Sequence, residues 1–233
     1  MENQNAKKES YEWPPLESDP QIFNNYFQKI GLPNNFEFDE LWSLDYKEIQ
    51  PIENPVVGVV CAIRRPKGKY FEEEKLMNYQ NVPFYMKQEG SLDNACGLVA
   101  SLHVFGNISE IINFNKESIL DNYYSKAEKA TPQERCKLLE DDNQFKEVHF
   151  ASAQEGQSSV PSTEQKVYYH YIAFVCCNNT IVELDGTLPG PIAIKENRSQ
   201  ETLLDDTVEE LKKRVESGVI SENLSVMIVK LVQ

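Results

Sequence analysis

Residues 94–103 read NACGLVASLH, a run in which Cys96 precedes an apolar segment with helical spacing. This spacing predicts a helix that begins at Cys96 and continues to about Phe105. Unpaired amide donors and the positive end of the helix dipole lie at a helix start, and both favour thiolate over thiol. Cys96 is therefore a candidate nucleophile, although a cysteine in an apolar helix is more often an inert core residue.

Two strand-like segments, 167–176 and 181–184, lie on either side of the dipeptide Asn178-Asn179. Asparagine tolerates positive φ, so this dipeptide predicts a two-residue hairpin turn. The resulting register places Cys177 opposite Thr180 and fixes every other pair along the two strands.

The same register predicts that His170 and Asp185 lie on one face of the sheet. His170 falls opposite Thr187, and Asp185 is two residues from Thr187, so the two side chains are diagonal neighbours. Diagonal positions lie roughly 7–8 Å apart, within reach of two polar side chains. An acid at this position can hold a histidine in the tautomer that accepts a proton from a thiol. Alternatively, His170 is a sheet histidine bonded to a backbone group, and Asp185, which precedes Gly186, is a turn residue.

Charge and composition argue against several classes of function. The chain of 233 residues has 23 basic and 37 acidic residues and a net charge of −14, which repels phosphate backbones and disfavours a nucleic-acid partner. No stretch approaches the roughly eighteen apolar residues that span a bilayer, so no membrane association is expected. Three histidines, and five cysteines without CxxC spacing, disfavour a metal site. Thiol chemistry also needs no cofactor.

Residues 1–10 are polar and charged, and we interpret them as a flexible tail without the apolar core of a signal peptide. The five cysteines are odd in number, and the adjacent Cys176 and Cys177 do not suit a disulfide framework. Both observations favour a reducing, cytoplasmic location. No internal repeat or low-complexity linker interrupts residues 11–233, which we expect to form a single domain.

Capping residues and apolar spacing predict helices and strands along this domain. Asp19 as N-cap and Gly31 as a stop bound a first helix, and Thr131-Pro132-Gln133-Glu134 is a capping box that opens another helix through Leu139. Residues 151–165 lack apolar periodicity and predict a long exposed loop. The remaining predicted helices cover 111–130 and 203–215. The remaining predicted strands cover 55–63 and 223–232.

Several short motifs, separated along the chain, occur in an order that is typical of one family. They are Trp13-Pro14-Pro15-Leu16-Glu17, Met86-Lys87-Gln88, Asn94-Ala95-Cys96-Gly97, Glu155-Gly156-Gln157 with Pro161-Ser162, His170-Tyr171-Ile172-Ala173, Glu183-Leu184-Asp185-Gly186 and Glu201-Thr202-Leu203-Leu204. Together they cover nearly the whole chain. In this order they resemble the ubiquitin carboxyl-terminal hydrolases, in particular the short single-domain members.

The resemblance implies a papain-like α+β fold, with a central antiparallel sheet flanked by helices and a knotted backbone path. It also implies a deubiquitinating thiol peptidase that cleaves ester, thioester, amide or peptide bonds after the terminal glycine of ubiquitin. Cys96 would be the nucleophile, His170 the general base and then acid, and Asp185 the carboxylate that orients His170. The chain would act as a monomer on ubiquitin, with ubiquitin-like proteins as further candidate partners.

On the same pattern, the ubiquitin tail would thread under the loop at 151–165. The resemblance therefore implies that Glu155, Gly156, Gln157 and Pro161 contact the substrate. A short closed loop limits the size of the group that can be attached to the ubiquitin tail. Small adducts, short peptides or unfolded extensions would then be preferred as leaving groups.

One departure from the family pattern concerns Gln88. The glutamine that donates to the oxyanion in the family stands six residues before the cysteine, whereas Gln88 precedes Cys96 by eight. Either two residues bulge out, for instance at Gly90, and Gln88 keeps its place, or this donor is lost. Asp93 is a second concern, because a carboxylate near the thiol disfavours thiolate unless it caps the helix instead.

Three interpretations follow from the sequence. The first is a deubiquitinating cysteine peptidase that uses Cys96, His170, Asp185 and Gln88. The second is a ubiquitin-binding protein in which the insertion before the cysteine has weakened catalysis, although a pure binder has no need of an intact triad. The third is a papain-like enzyme acting on another acyl group, which explains the triad but not the full-length resemblance.

Overall fold

The structure is a computed structural model that describes residues 11–64, 70–156 and 169–232, so the predicted tail at 1–10 lies outside the described residues. The α-helices are α1 (Pro20–Ile30), α2 (Tyr46–Ile49), α3 (Cys96–Asn107), α4 (Ile119–Ala127), α5 (Pro132–Asp141), α6 (Asn143–Ala153) and α7 (Leu203–Glu216). The strands are β1 (Phe36–Leu41), β2 (Val56–Arg64), β3 (Tyr169–Cys177), β4 (Thr180–Leu184), β5 (Ile192–Glu196) and β6 (Ser225–Leu231). Short 3₁₀ turns are formed by Glu73–Lys75, Tyr79–Asn81, Gly90–Asn94 and Gln200–Thr202. Within these ranges, no helix combines the length and the apolarity that crossing a bilayer requires.

The strands form one antiparallel sheet in the order β1-β6-β2-β3-β4-β5, and helices cover both of its faces. Alternate side chains of β2 enter different cores: Val60 and Ala62 pack in the core shared with α1 and α3, whereas Val59 and Cys61 pack in the core shared with α7. Because both faces are covered, β2 is almost continuously apolar in sequence. The predicted α+β class, a central antiparallel sheet flanked by helices, is confirmed. The knotted backbone path stays a prediction.

Two predicted helix starts are confirmed by their capping hydrogen bonds. The Asp19 side chain accepts a hydrogen bond from Gln21 N at 2.7 Å, and Gly31 follows α1 with a φ of 112°. Thr131 and Glu134 exchange the reciprocal hydrogen bonds of a capping box at the start of α5. These signals involve only neighbouring residues, so the sequence alone predicts them well.

Two predicted boundaries are wrong. The predicted loop at 151–165 starts too early, because α6 continues to Ala153 and its last residues, Ser152 and Ala153, are buried. Small residues carry little apolar signal, which hides this helix end. Of the predicted helical region at 111–130, only Ile119–Ala127 is helix; the chain before it turns at Glu117, where φ is 60°.

Strand β1 is an edge strand, and two side-chain amides cover its outward backbone groups. Asn24 of α1 donates to Phe38 O at 2.8 Å and accepts from Phe38 N at 2.7 Å. Gln50 donates to Glu40 O at 2.7 Å and accepts from Trp42 N at 3.0 Å. An open strand edge invites pairing with another chain, so these amides take the place of a neighbouring strand.

Replacing Asn24 with alanine is expected to lower the free energy of unfolding by about 1–3 kcal/mol. Each lost hydrogen bond contributes about 1 kcal/mol, and the backbone N–H and C=O of Phe38 are left without their partner. Denaturant unfolding measures the change. Asn25→Ala is the matched control, since Asn25 is exposed on the same helix, and its effect should stay within about 0.5 kcal/mol. Equal losses in the two variants would contradict the role given to Asn24.

Candidate active site

Helix α3 begins with Cys96 and is buried along its whole length against β2 and β3. The Cys96 side chain lies at the positive end of the helix dipole and is almost fully buried. The N-cap residue is Ala95, so the expectation that Asp93 caps this helix is wrong; Asp93 belongs to the preceding 3₁₀ turn. Ala95 has no polar side chain to compete for the amides of the first turn.

The turn between β3 and β4 has the predicted register. Asn178 and Asn179 both adopt positive φ, 49° and 59°, as a tight hairpin requires. Cys177 pairs with Thr180 across the turn, and the ladder continues as far as Ala173 and Leu184. The fold therefore places His170, three residues before Ala173 along β3, near the end of this ladder.

Beyond β4 the chain leaves the ladder, so the predicted pairing of His170 with Thr187 does not form. Asp185 instead begins a turn, and its Oδ1 accepts hydrogen bonds from Thr187 N at 2.9 Å and Thr187 Oγ1 at 2.7 Å. The same oxygen accepts a hydrogen bond from His170 Nε2 at 2.8 Å. Asp185 is thus both a turn residue and the partner of His170.

The His170–Asp185 pair is buried, with 3% and 1% of the two residues exposed. Burial alone would lower the pKa of His170, but the hydrogen bond and charge of Asp185, together with Cys96, outweigh it and raise this pKa to about 9. Burial would raise the pKa of Asp185, but hydrogen bonds from His170, Tyr70 and Thr187 hold it well below its usual range. At neutral pH the pair is therefore an imidazolium and a carboxylate. The positive ring favours a thiolate at Cys96.

Gln88 lies against the turn that contains Asp185. Its backbone N–H donates to Gly186 O at 2.9 Å, and its side chain is buried with Nε2 donating to Asp93 O at 2.9 Å. A Cβ at position 186 would stand 2.9 Å from both Gln88 N and Gln88 Cβ, so only glycine permits this approach. The segment that carries Gln88 and the turn that carries Asp185 are therefore joined directly.

The chain between Gln88 and Cys96 contains the 3₁₀ turn Gly90–Asn94. Gly90 opens this turn with a φ of 64°, which other residues rarely adopt. Ser91 donates to Glu140 Oε1 of α5 from its backbone N at 2.9 Å and its Oγ at 2.8 Å. This turn therefore packs on α5, and Gln88 is buried beside the Asp185 turn.

Of the four residues predicted in the loop, two are described. Glu155 forms an ion pair with Lys29 of α1 at 2.6 Å. Gly156 lies against Glu17, since a Cβ added there would meet Glu17 Oε2 at 2.6 Å. Gln157 and Pro161 lie outside the described residues. The start of the loop is therefore anchored on α1 and the segment that precedes it.

Sequence analysis missed two tyrosines at this site. Tyr70 OH donates to Asp185 Oδ2 at 2.6 Å, and Tyr85 OH lies 2.7 Å from both Asp185 O and Leu188 O. Tyr70 and Tyr85 are 115 and 100 positions from Asp185 in sequence, so only the fold brings them to it. His103 is fully buried, with Nε2 accepting from Met86 N at 3.0 Å and its ring stacked on Tyr85.

A buried cysteine at a helix start, beside a charged histidine held by an aspartate, defines the class of cysteine-type hydrolases. The model of the family described as "Ubiquitin carboxyl-terminal hydrolase, family 1" matches residues 13–216. The chain belongs to this family of deubiquitinating hydrolases.

Curated relatives resemble the chain over most of its length. A ubiquitin carboxyl-terminal hydrolase of Aplysia californica is 33% identical over 205 residues, covering 86% of this chain and 94% of the relative. Ubiquitin carboxyl-terminal hydrolase 3 of Arabidopsis thaliana is 31% identical over 236 residues, covering 97% of each. The UCH37 catalytic domain of Trichinella spiralis, solved bound to ubiquitin vinyl methyl ester, has the same fold, with a TM-score of 0.71, 18% identity and coverage of 95% and 96%.

The histidines should titrate in an unusual pattern. Burial lowers the pKa of His103 and His149 to about 4, whereas the pKa of His170 is raised to about 9, so no histidine should titrate near the ordinary value of about 6.5. NMR titration of the imidazole carbons measures all three. In Asp185→Asn, the pKa of His170 should fall, because the carboxylate that favours its charged form is gone. A His170 signal that titrates near 6.5 in the native protein would contradict the charged pair.

Proposed function

We propose that this protein hydrolyses ester, thioester, amide and peptide bonds at the C-terminal glycine of ubiquitin. The observation that carries the proposal is the buried His170–Asp185 pair, whose imidazolium lies beside Cys96 at the start of α3. Such an arrangement offers a nucleophile, the Cys96 sulfur, and an acid, the charged His170 ring, together at neutral pH. Membership of the family supports ubiquitin as the substrate, and the structural neighbour from Trichinella was solved bound to ubiquitin vinyl methyl ester.

The reaction would proceed through a thioester. The Cys96 thiolate attacks the glycine carbonyl carbon, and the carbonyl oxygen becomes an oxyanion. As the bond to the leaving group breaks, His170 gives its proton to the departing nitrogen, oxygen or sulfur. Neutral His170 then takes a proton from water, the resulting hydroxide attacks the thioester, and Cys96 leaves as thiolate. Asp185 stays ionised throughout and holds the ring.

Gln88 would donate to the oxyanion together with the backbone N–H of Cys96. Its buried side chain and its link to the Asp185 turn support this role, and the two inserted residues would be taken up by the 3₁₀ turn on α5. The Nε2 group has two protons, and the bond to Asp93 O uses one of them. The second proton can therefore reach an oxyanion.

The loop that starts at Glu155 and Gly156 would cross the bound ubiquitin tail and favour small or unfolded leaving groups. Its anchoring to Lys29 and to Glu17 supports a fixed path at this end. Ubiquitin-like proteins remain candidate substrates within the same proposal.

The organisation and location of the protein belong to the same proposal. Residues 11–233 would form one catalytic domain, which agrees with the match of the family model to 13–216. A cytoplasmic location is supported by the five cysteines, all of which are unpaired thiols. A monomer is supported by the covered edge of β1, where Asn24 and Gln50 occupy the backbone groups that a second chain would need.

Hydrolysis of ubiquitin with a fluorogenic C-terminal amide tests the proposal. Cys96→Ala should abolish turnover, and Gln88→Ala should lower kcat by on the order of a hundred- to a thousand-fold with little change in KM, since the donor acts on the oxyanion. Gln133→Ala is the matched control, because Gln133 is exposed on α5, and it should leave kcat unchanged.

The other outcomes distinguish the alternatives. Native protein that binds ubiquitin without turnover would support a ubiquitin-binding protein with weakened catalysis. Native protein that neither binds nor cleaves ubiquitin would support an enzyme acting on another acyl group. Normal turnover in Gln88→Ala would show that the backbone amide alone serves the oxyanion.

A further inference from the structure

Tyr70 lies behind Asp185, on the side away from His170. Its hydroxyl donates to Asp185 Oδ2 at 2.6 Å, whereas Oδ1 receives His170 and Thr187. The two carboxylate oxygens therefore have separate partners. Asp185 is 1% exposed, so bulk water does not reach Oδ2 to replace the hydroxyl.

A second buried carboxylate, Glu183, lies two residues before Asp185 and faces the same tyrosine. Glu183 is fully buried, and its Oε2 accepts a hydrogen bond from Arg214 Nη2 of α7 at 2.6 Å. The Arg214 guanidinium also lies over the Tyr70 ring, 5.7 Å from its centroid, where the positive charge is attracted to the ring face. Arg214 therefore compensates the charge of Glu183 and packs on Tyr70.

The single proton of the Tyr70 hydroxyl is thereby directed to Asp185. Burial, with both carboxylates nearby, raises the pKa of Tyr70 far above its ordinary value, so the hydroxyl keeps its proton at every working pH. Glu183 already has a charged donor in Arg214, and a neutral hydroxyl is the weaker donor of the two. Tyr70 also influences Glu183, whose Oε1 has no partner of its own among the described residues, but the hydrogen bond that its hydroxyl makes at 2.6 Å is to Asp185 Oδ2.

We infer that Tyr70 is a positioning residue, whose hydroxyl holds the Asp185 carboxylate in the orientation that binds His170. The inference rests on the proposed roles of Asp185 and His170. Without the hydroxyl, Oδ2 is buried without its donor, and the carboxylate turns toward another donor or takes up a proton. Either change weakens the bond to His170, so the imidazolium and the thiolate it favours become less populated.

A double-mutant cycle tests this inference, with Tyr70→Phe and Asp185→Asn alone and together. Outer partners of a catalytic group typically contribute about ten- to a hundred-fold, so Tyr70→Phe should lower kcat on the ubiquitin amide about tenfold, with KM unchanged. In the Asp185→Asn background the same change should lower kcat less than about twofold, because Tyr70 acts through the missing carboxylate. The pKa of His170, measured by NMR, should fall in Tyr70→Phe.

Tyr46→Phe is the matched control. Tyr46 OH also donates to an aspartate, Asp205, but this pair lies on α2 and α7, outside the site. Both phenylalanine variants lose one phenol–carboxylate hydrogen bond, whereas only Tyr70→Phe should slow the reaction. Two results would overturn the inference. One is a loss of kcat in Tyr70→Phe that is no larger than in Tyr46→Phe. The other is a loss of kcat that is the same with Asp185 and with Asp185→Asn.

A second measurement separates this inference from the proposed substrate. The rate of Cys96 alkylation by iodoacetamide at pH 7, located by mass spectrometry, reports the thiolate without any ubiquitin. Tyr70→Phe should slow this alkylation when Asp185 is present and not in Asp185→Asn. If the native protein fails to cleave the ubiquitin amide, the proposed function fails, but the alkylation cycle still decides the role of Tyr70. Equal alkylation rates in native protein and Tyr70→Phe would overturn it.

Discussion

The buried hydrogen bond between His170 and Asp185 is the interaction on which the arrangement of the site depends. It connects strand β3, held in the sheet by β2, to the turn that follows β4. A charge taken out of water costs several kcal/mol unless it is paired and its remaining lone pairs are bonded. Here the imidazolium and the carboxylate compensate each other, and Thr187 and Tyr70 bond the other positions of the carboxylate. The pair is thus stable only in this folded arrangement.

The thiol reaches this pair because two independent parts of the fold converge. Helix α3 is buried along its whole length, so its first residue, Cys96, is part of the core. The segment of Gln88 meets the Asp185 turn through a backbone hydrogen bond that a side chain at Gly186 would block. The arrangement of Cys96, His170 and Gln88 therefore depends on backbone elements as well as on side chains.

Sequence alone predicted what depends on neighbouring residues. Asp19, the Thr131 capping box and the Asn178-Asn179 turn each act over a few positions, and all three are present as expected. The turn register also brought His170 and Asp185 to one end of the sheet. It gave the wrong partner for His170, however, since β4 is shorter than the register alone requires.

What sequence did not predict depends on distant contacts or on weak patterns. Strands β1 and β5 are short edge strands, with too few residues for a clear alternation. Tyr70 is separated from Asp185 by 115 positions, and nothing in its own segment indicates a contact with the carboxylate. The predicted cap of α3 is wrong because Asp93 belongs to the 3₁₀ turn that precedes the helix. The candidate role of Gln88 came only from the resemblance to the family, because nothing in its own segment indicates an oxyanion donor.

The burial of all three histidines has a consequence for how the protein responds to acidification of its surroundings. Histidine is the side chain that ordinarily changes charge between pH 5 and 8. Here two imidazoles are held neutral and one is held charged across that interval. A modest drop in pH therefore leaves the protonation of these rings as it was, and the histidines provide no acid-sensing switch.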